Sequence, residues 1–168
     1  MIFLANRSNL DKRTLLTRIH NRLQTQVTAA NSPVEQVWYH TSSGNKVGVR
    51  ATVIPEEFLR TSYPVDKAEL QVSFDFPVNH AYDFYSIQWV ESTRSLMVGW
   101  HQDETHMDLG KCHFQIDYQG ETVQRERAEY LDVHPLNVFD QRTDDLVNVL
   151  DAIIWEEGVP HLPKNAVR

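Results

Sequence analysis

Hydrophobic positions change their period twice along this chain, dividing it into a helix, a long run of strands and a second helix. Leu16, Ile19, Leu23 and Val27 recur at spacings of three and four, the repeat that lines one side of an α-helix. The pattern predicts a helix over residues 9–30, capped by Ser8 or Asn9 and stopped by Asn31, Ser32 and Pro33. Lys12, Arg13, Thr17 and several glutamines fall on its other side, so this helix is amphipathic and basic.

From Val34 to Tyr130 the pattern alternates and β-branched and aromatic residues become frequent, as strands require. It predicts strands at 34–42 and 46–54, joined through Ser43, Gly44 and Asn45, and then a short helical turn opened by Pro55, Glu56 and Glu57. Further strands are expected at 68–76, 82–91, 95–101, 112–118 and 121–130, with turns at Ser92 to Arg94 and at Gln119-Gly120. Successive strand residues point to opposite sides. One face therefore receives Leu70, Val72, Phe74, Phe76, Tyr85, Ile87, Trp89, Leu96, Val98, Trp100, Cys112, Phe114 and Ile116. The other receives Gln71, Ser73, Asp75, Ser86, Gln88, His101, His113, Gln115 and Asp117, with Arg125 and Arg127 near the edge. Trp38, Trp89 and Trp100 read as core residues in preference to base-stacking platforms.

The helical period returns after His134-Pro135. Leu146, Val149, Leu150 and Ile153 form a stripe, Thr143 can cap, and Asp144 and Asp145 suit the positive helix end, predicting a helix over 143–156 that Gly158 and Pro160 terminate. The expected fold is α+β: a mainly antiparallel sheet of six or seven strands, with an N-terminal and a C-terminal helix packed on one face, in a single domain over 1–168.

Length and composition narrow the setting. A chain of 168 residues is the usual size of one domain. No apolar run approaches the roughly 20 residues that cross a bilayer, and the first residues do not have the form of a secretory leader. Cys112 is the sole cysteine, so no intrachain disulfide can form, which agrees with a reducing, cytoplasmic setting. The net charge is −7, yet residues 1–30 carry +4 through Arg7, Lys12, Arg13, Arg18 and Arg22 against Asp11. Lys12, Arg13, Arg18 and Arg22 are either a solvated helix face or a contact for an acidic partner or nucleic acid.

Reactive residue types gather between Gly99 and His113, where His101, His106 and His113 stand with Asp103 and Asp108. His101 ends one predicted strand and His113 begins the next on the same face, so the loop between them should bring the imidazoles together. Three uses are open. The first is acid and base catalysis by His101 and His113, with Arg125 or Arg127 stabilising a developing anion. The second is a divalent metal on His101, His106 and His113, although the spacings match no standard zinc pattern. The third is a polar loop that only solvates. Cys112 and His113 are strand neighbours facing opposite ways, which disfavours a thiol nucleophile. No phosphate loop, nucleophile elbow or dinucleotide fingerprint is present, so no cofactor follows from a motif.

Tyr85-Ser86-Ile87-Gln88-Trp89, Gly99-Trp100-His101 and Cys112-His113-Phe114, followed by the Asp- and Leu-rich helix near Leu146 to Ile153, resemble the TumE-type toxins of toxin and antitoxin pairs, and also uncharacterised archaeal proteins. The resemblance spans about residues 82–155. It lacks that family's adjacent histidine pairs and proline-rich loop, having His106-Met107 and Asp108-Leu109-Gly110 instead. It implies a toxin acting on RNA under the control of an antitoxin-like protein partner. His101 and His113 would then be acid and base, His106 would assist, and Arg125 or Arg127 would hold phosphate. The alternative from a different class is a non-enzymatic interaction module that uses the basic first helix or the polar sheet face.

Overall fold

The computed structural model describes residues 11–27, 32–80, 82–164 and 166. Among these residues there are three α-helices: α1 Lys12–Val27, α2 Pro55–Leu59 and α3 Pro135–Ala152. Seven strands form the main sheet: β1 Val34–Ser42, β2 Asn45–Val53, β3 Ala68–Asp75, β4 Phe84–Glu91, β5 Leu96–Gln102, β6 His113–Tyr118 and β7 Glu121–Arg127. They lie side by side in chain order, every neighbour antiparallel. Short turns link most strands, so each strand pairs with the one made just before it, and the meander needs no crossover. The fold class expected from the sequence is the one observed.

Alternation builds the core. The register runs Val49–Val72–Ile87–Trp100–Phe114 and Ala51–Leu70–Trp89–Val98–Ile116 across the sheet, and all of these residues are buried. The helices cover this face. Leu15, Leu16, Ile19 and Leu23 of α1 and Leu146, Val149 and Leu150 of α3 join the same cluster. Burying side chains of this size stabilises a fold by about 1.5–3 kcal/mol each. Among the described residues no helix packs on the other face of the sheet, which is predominantly polar.

Local expectations are corrected at both ends of the C-terminal helix and at Trp38. The Ser8 or Asn9 cap lies outside the described residues, but Asp11 caps α1: Thr14 donates its backbone N–H to Asp11 Oδ1 at 2.7 Å and its hydroxyl to Oδ2 at 3.0 Å. The C-terminal helix begins at Pro135, eight residues before Thr143. Proline is suited to the first helical position, and His134 caps by accepting the Leu136 N–H at 3.2 Å. Thr143 instead lies inside the helix and donates to the Phe139 carbonyl at 2.7 Å.

That helix also ends at Ala152, not 156. Ile153 is already extended, and Ile154 and Trp155 enter a hairpin, β8 Ile154–Glu156 with β9 Val159–His161. Glu157 and Gly158 both have positive φ, the geometry of a two-residue hairpin turn, so Gly158 turns a hairpin where the sequence suggested a helix end. Gln124 ties the following residues to the sheet edge, accepting the Leu162 N–H at 2.7 Å and donating to its carbonyl at 3.1 Å. The last correction is Trp38, which is absent from the buried core. It stands half-buried opposite Arg50, on the open polar face. Trp89 and Trp100 are fully buried, as expected.

Candidate functional site on the open sheet face

Two rows of side chains cross the open face in register. One is Trp38–Arg50–Gln71–Gln88–Gly99–Gln115–Arg125, and the next is His40–Gly48–Ser73–Ser86–His101–His113–Arg127. The predicted placement of Gln71, Ser73, Ser86, Gln88, His101, His113, Gln115, Arg125 and Arg127 on one face is therefore observed. Gly48, Ser73 and Ser86 are small and adjacent, so the second row sinks into a trough. Two contiguous depressions of about 110 and about 400 Å³ share His40, Ser73 and Ser86. Glycine is required where neighbouring strands come close: a Cβ at Gly99 would stand 2.3 Å from the Ile87 carbonyl oxygen, and one at Gly48 would stand 2.6 Å from that of Val72.

Beyond Ser86 the same row continues to two histidines. His101 and His113 are cross-strand partners, and His101 Nδ1 lies 3.2 Å from His113 Nε2. The amide of Gln88 meets His101 Nε2. The proton assignment that satisfies both contacts has Gln88 donating to His101 Nε2 and His101 Nδ1–H donating to His113 Nε2, with both rings neutral. His106, in the loop before the single-turn helix Met107–Leu109, closes the cluster with its ring perpendicular to that of His113 at 4.9 Å. Asp103 in the same loop accepts the Thr105 N–H at 2.8 Å, and Glu104 pairs with His80 at 2.6 Å.

Burial is the main cause that lowers the proton affinity of both central rings. His113 is only 2 % exposed, and burial together with the neighbouring His101 and His106 and the Arg125 cation brings its pKa down to about 4; the Asp103 carboxylate opposes this. His101 is lowered too, by burial first, against the opposing pull of Asp103 and Asp117. Near neutral pH neither ring is an acid. Each already uses its facing nitrogen on the other, so a phosphodiester has no room between them. Among the described residues, no group of three or more His, Cys, Asp or Glu is arranged to hold a metal ion.

Two of the four cations near this face are paired with carboxylates. Arg50 lies 3.4 Å from Glu69, and Lys12 lies 3.3 Å from Asp75. Arg125 donates to Gln115 Oε1 at 2.8 Å and to Thr122 at 3.2 Å, while Gln115 and Thr122 both donate to Asp117. Arg127 lies against Gly110, whose added Cβ would stand 3.5 Å from its Nε. On α1, Arg22 pairs with Asp140, and Arg13 and Arg18 are exposed. The basic helix thus commits two of its four named cations to its own fold.

Cys112 is fully buried on the helix side of the sheet. Its thiol lies 3.5 Å from the Tyr85 hydroxyl and 3.9 Å from Arg142, and burial raises its pKa, so it is a core residue and not an exposed nucleophile. Arg142 is the polar residue that periodicity missed. It is fully buried, donating to Tyr85 at 3.0 Å, to Asp145 at 3.0 Å and to the Glu129 carbonyl, with its guanidinium 5.0 Å from the Trp100 ring. Its position three residues after Phe139 and four before Leu146 puts it on the buried stripe. A helix started at 143 hid that signal.

Comparison with protein-family models, curated proteins and solved structures finds no match.

Proposed function

We propose that the protein is a non-enzymatic recognition module whose open sheet face takes an extended polar segment of a partner protein along the Gly48–Ser73–Ser86 trough. The observation that carries this reading is a trough whose charges are already balanced. Arg50 with Glu69 and Lys12 with Asp75 leave little net field for phosphates, whose binding draws on uncompensated Lys and Arg. A peptide asks for something different. The amide oxygens of Gln71 and Gln88, whose nitrogens face Glu69 and His101, can accept its backbone N–H groups, the hydroxyls of Ser73 and Ser86 can donate to its C=O groups, and Trp38 offers a half-buried aromatic anchor at the end of the adjoining row.

The test uses the double substitution Ser73→Arg, Ser86→Arg, which fills the trough from the solvent side without touching the core. The tagged variant should lose a stoichiometric partner that the unmodified protein retains, with unchanged thermal unfolding, while reversal of Arg13, Arg18 and Arg22 to Glu leaves the complex intact. Retention by the filled trough together with loss on helix reversal would move the interface to α1.

A second reading keeps RNA as the target, with toxin-like acid and base chemistry. It is favoured by the register that puts His101, His113 and Arg127 in one line with Arg125 one row away. In this reading the substrate displaces the Gln88 amide from His101 Nε2, which acts as base, while His113 holds the ring through its Nδ1–H and His106 packs against His113. An antitoxin-like protein is the natural partner. Replacing His101 and His113 together by Ala should abolish growth inhibition on expression. Inhibition undiminished in that variant removes the reading.

A further inference from the structure

On the helix-covered side of the sheet, away from the trough, a cavity of about 310 Å³ opens between the segment after α2, the end of α3 and the β8–β9 hairpin. That volume is at the small end of ordinary ligand pockets. Leu59, Pro64, Leu150 and Ile153 give it apolar walls, and Trp155, 40 % exposed on the hairpin, gives it an aromatic one. Thr61 and Ser62 bring hydroxyl groups, and Arg94 brings a guanidinium.

Arg94 is held rigidly. Its Nε donates to Glu91 Oε2 at 2.6 Å and its Nη2 donates to the Tyr63 hydroxyl at 3.0 Å, while its guanidinium lies 5.2 Å from the Tyr63 ring and 5.0 Å from the Trp155 ring. Glu91 is fully buried and organises the whole group: its Oε1 also accepts from Tyr63 at 2.6 Å and from Trp89 Nε1 at 2.8 Å. Burying a carboxylate is costly, and an apolar replacement of an ion pair often stabilises a fold as well or better. What this arrangement provides is an arginine with fixed orientation. Its Nε edge is committed to Glu91, and Nη1 has no protein partner among the described residues.

We propose that this cavity is a binding site for a small aromatic carboxylate, whose carboxylate meets the free edge of Arg94 and whose ring lies against Trp155 and the apolar walls. A planar guanidinium suits a carboxylate by parallel N–H donation. An aromatic face beside it favours a flat ring over an aliphatic chain. Asp151 at the rim disfavours multiply charged anions, so inorganic phosphate is a poor fit.

The experiment titrates benzoate and indole-3-carboxylate into the full chain and follows the indole N–H signal of Trp155 by NMR, with benzamide and inorganic phosphate as comparison probes. Saturable shifts are expected for the carboxylates, with benzamide and phosphate at least about tenfold weaker. Arg94→Lys keeps a cation beside Glu91 and so preserves the fold, yet should weaken carboxylate binding by about tenfold by removing the fork. Trp155→Ala alters an exposed hairpin residue and should weaken it severalfold, read on the Arg94 side-chain N–H signals. Equal binding of benzamide or phosphate, no saturable carboxylate binding, or unchanged affinity in both variants would overturn the assignment.

Discussion

Arg142→Ala should lower the free energy of unfolding by about 3–5 kcal/mol, the range found when one partner of a buried charged network is removed. The cation is fully buried and serves Tyr85, Asp145, the Glu129 carbonyl and the Cys112 thiol at once. Truncation leaves those acceptors without their donor beneath Trp100 and opens a cavity in their midst. Arg142→Met fills much of that space and should recover part of the loss, separating packing from hydrogen bonding. Urea denaturation followed by tryptophan fluorescence measures both. A loss for Arg142→Ala below about 1 kcal/mol, typical of exposed pairs, would show that the network contributes little.

Stability should also fall as the solution is acidified from pH 6.5 toward pH 4, with His113 as a principal cause. Its proton affinity in the fold is lowered from the ordinary 6.5 to about 4, so between these values the unfolded chain binds a proton that the folded chain refuses. The unfolded state thus holds more protons in that window, and stability rises with pH across it. The contribution is complete above pH 6.5, is lost progressively below it, and changes no further below pH 4. A shift of this size corresponds to about 3 kcal/mol. His101, shifted the same way, adds to the trend. The comparison is the urea midpoint from pH 7 down to pH 4 for the unmodified protein and for His113→Gln. The variant should show the shallower dependence, and parallel curves would refute the assignment to His113.

The sheet was legible in the sequence because each strand alternates cleanly and each turn carries its own Gly, Asn or Ser signal. Val72, Ile87, Trp100 and Phe114 fall opposite one another with nothing more than a period of two. The contact between His101 and His113 was legible for the same reason: parity alone assigns the face. What parity does not give is chemistry. The direct bond between the two rings, and the burial that makes both neutral, depend on strand separation and on the His106 loop. The end of α3 was obscured by the continuing apolar stripe at Ile153, where β-branched residues turn to the extended backbone of a hairpin. Trp38 was misplaced because an aromatic in a strand is usually buried, whereas parity, with Val37 turned to the core, puts this one opposite Arg50 on the uncovered face. The Glu91, Arg94 and Tyr63 group joins residues up to 31 positions apart, and no local pattern announces it.

The four tryptophans report on separate regions: Trp38 on the open face, Trp89 and Trp100 in the core, and Trp155 at the cavity by the hairpin. Their indole N–H signals, read with the side-chain amides of Gln71 and Gln88 before and after addition of the stoichiometric protein partner, test the open-face account directly. The account predicts that Trp38, Gln71 and Gln88 shift or broaden while Trp155 holds its position. Unmoved signals from those three, with changes confined to α1 or to Trp155, would contradict it.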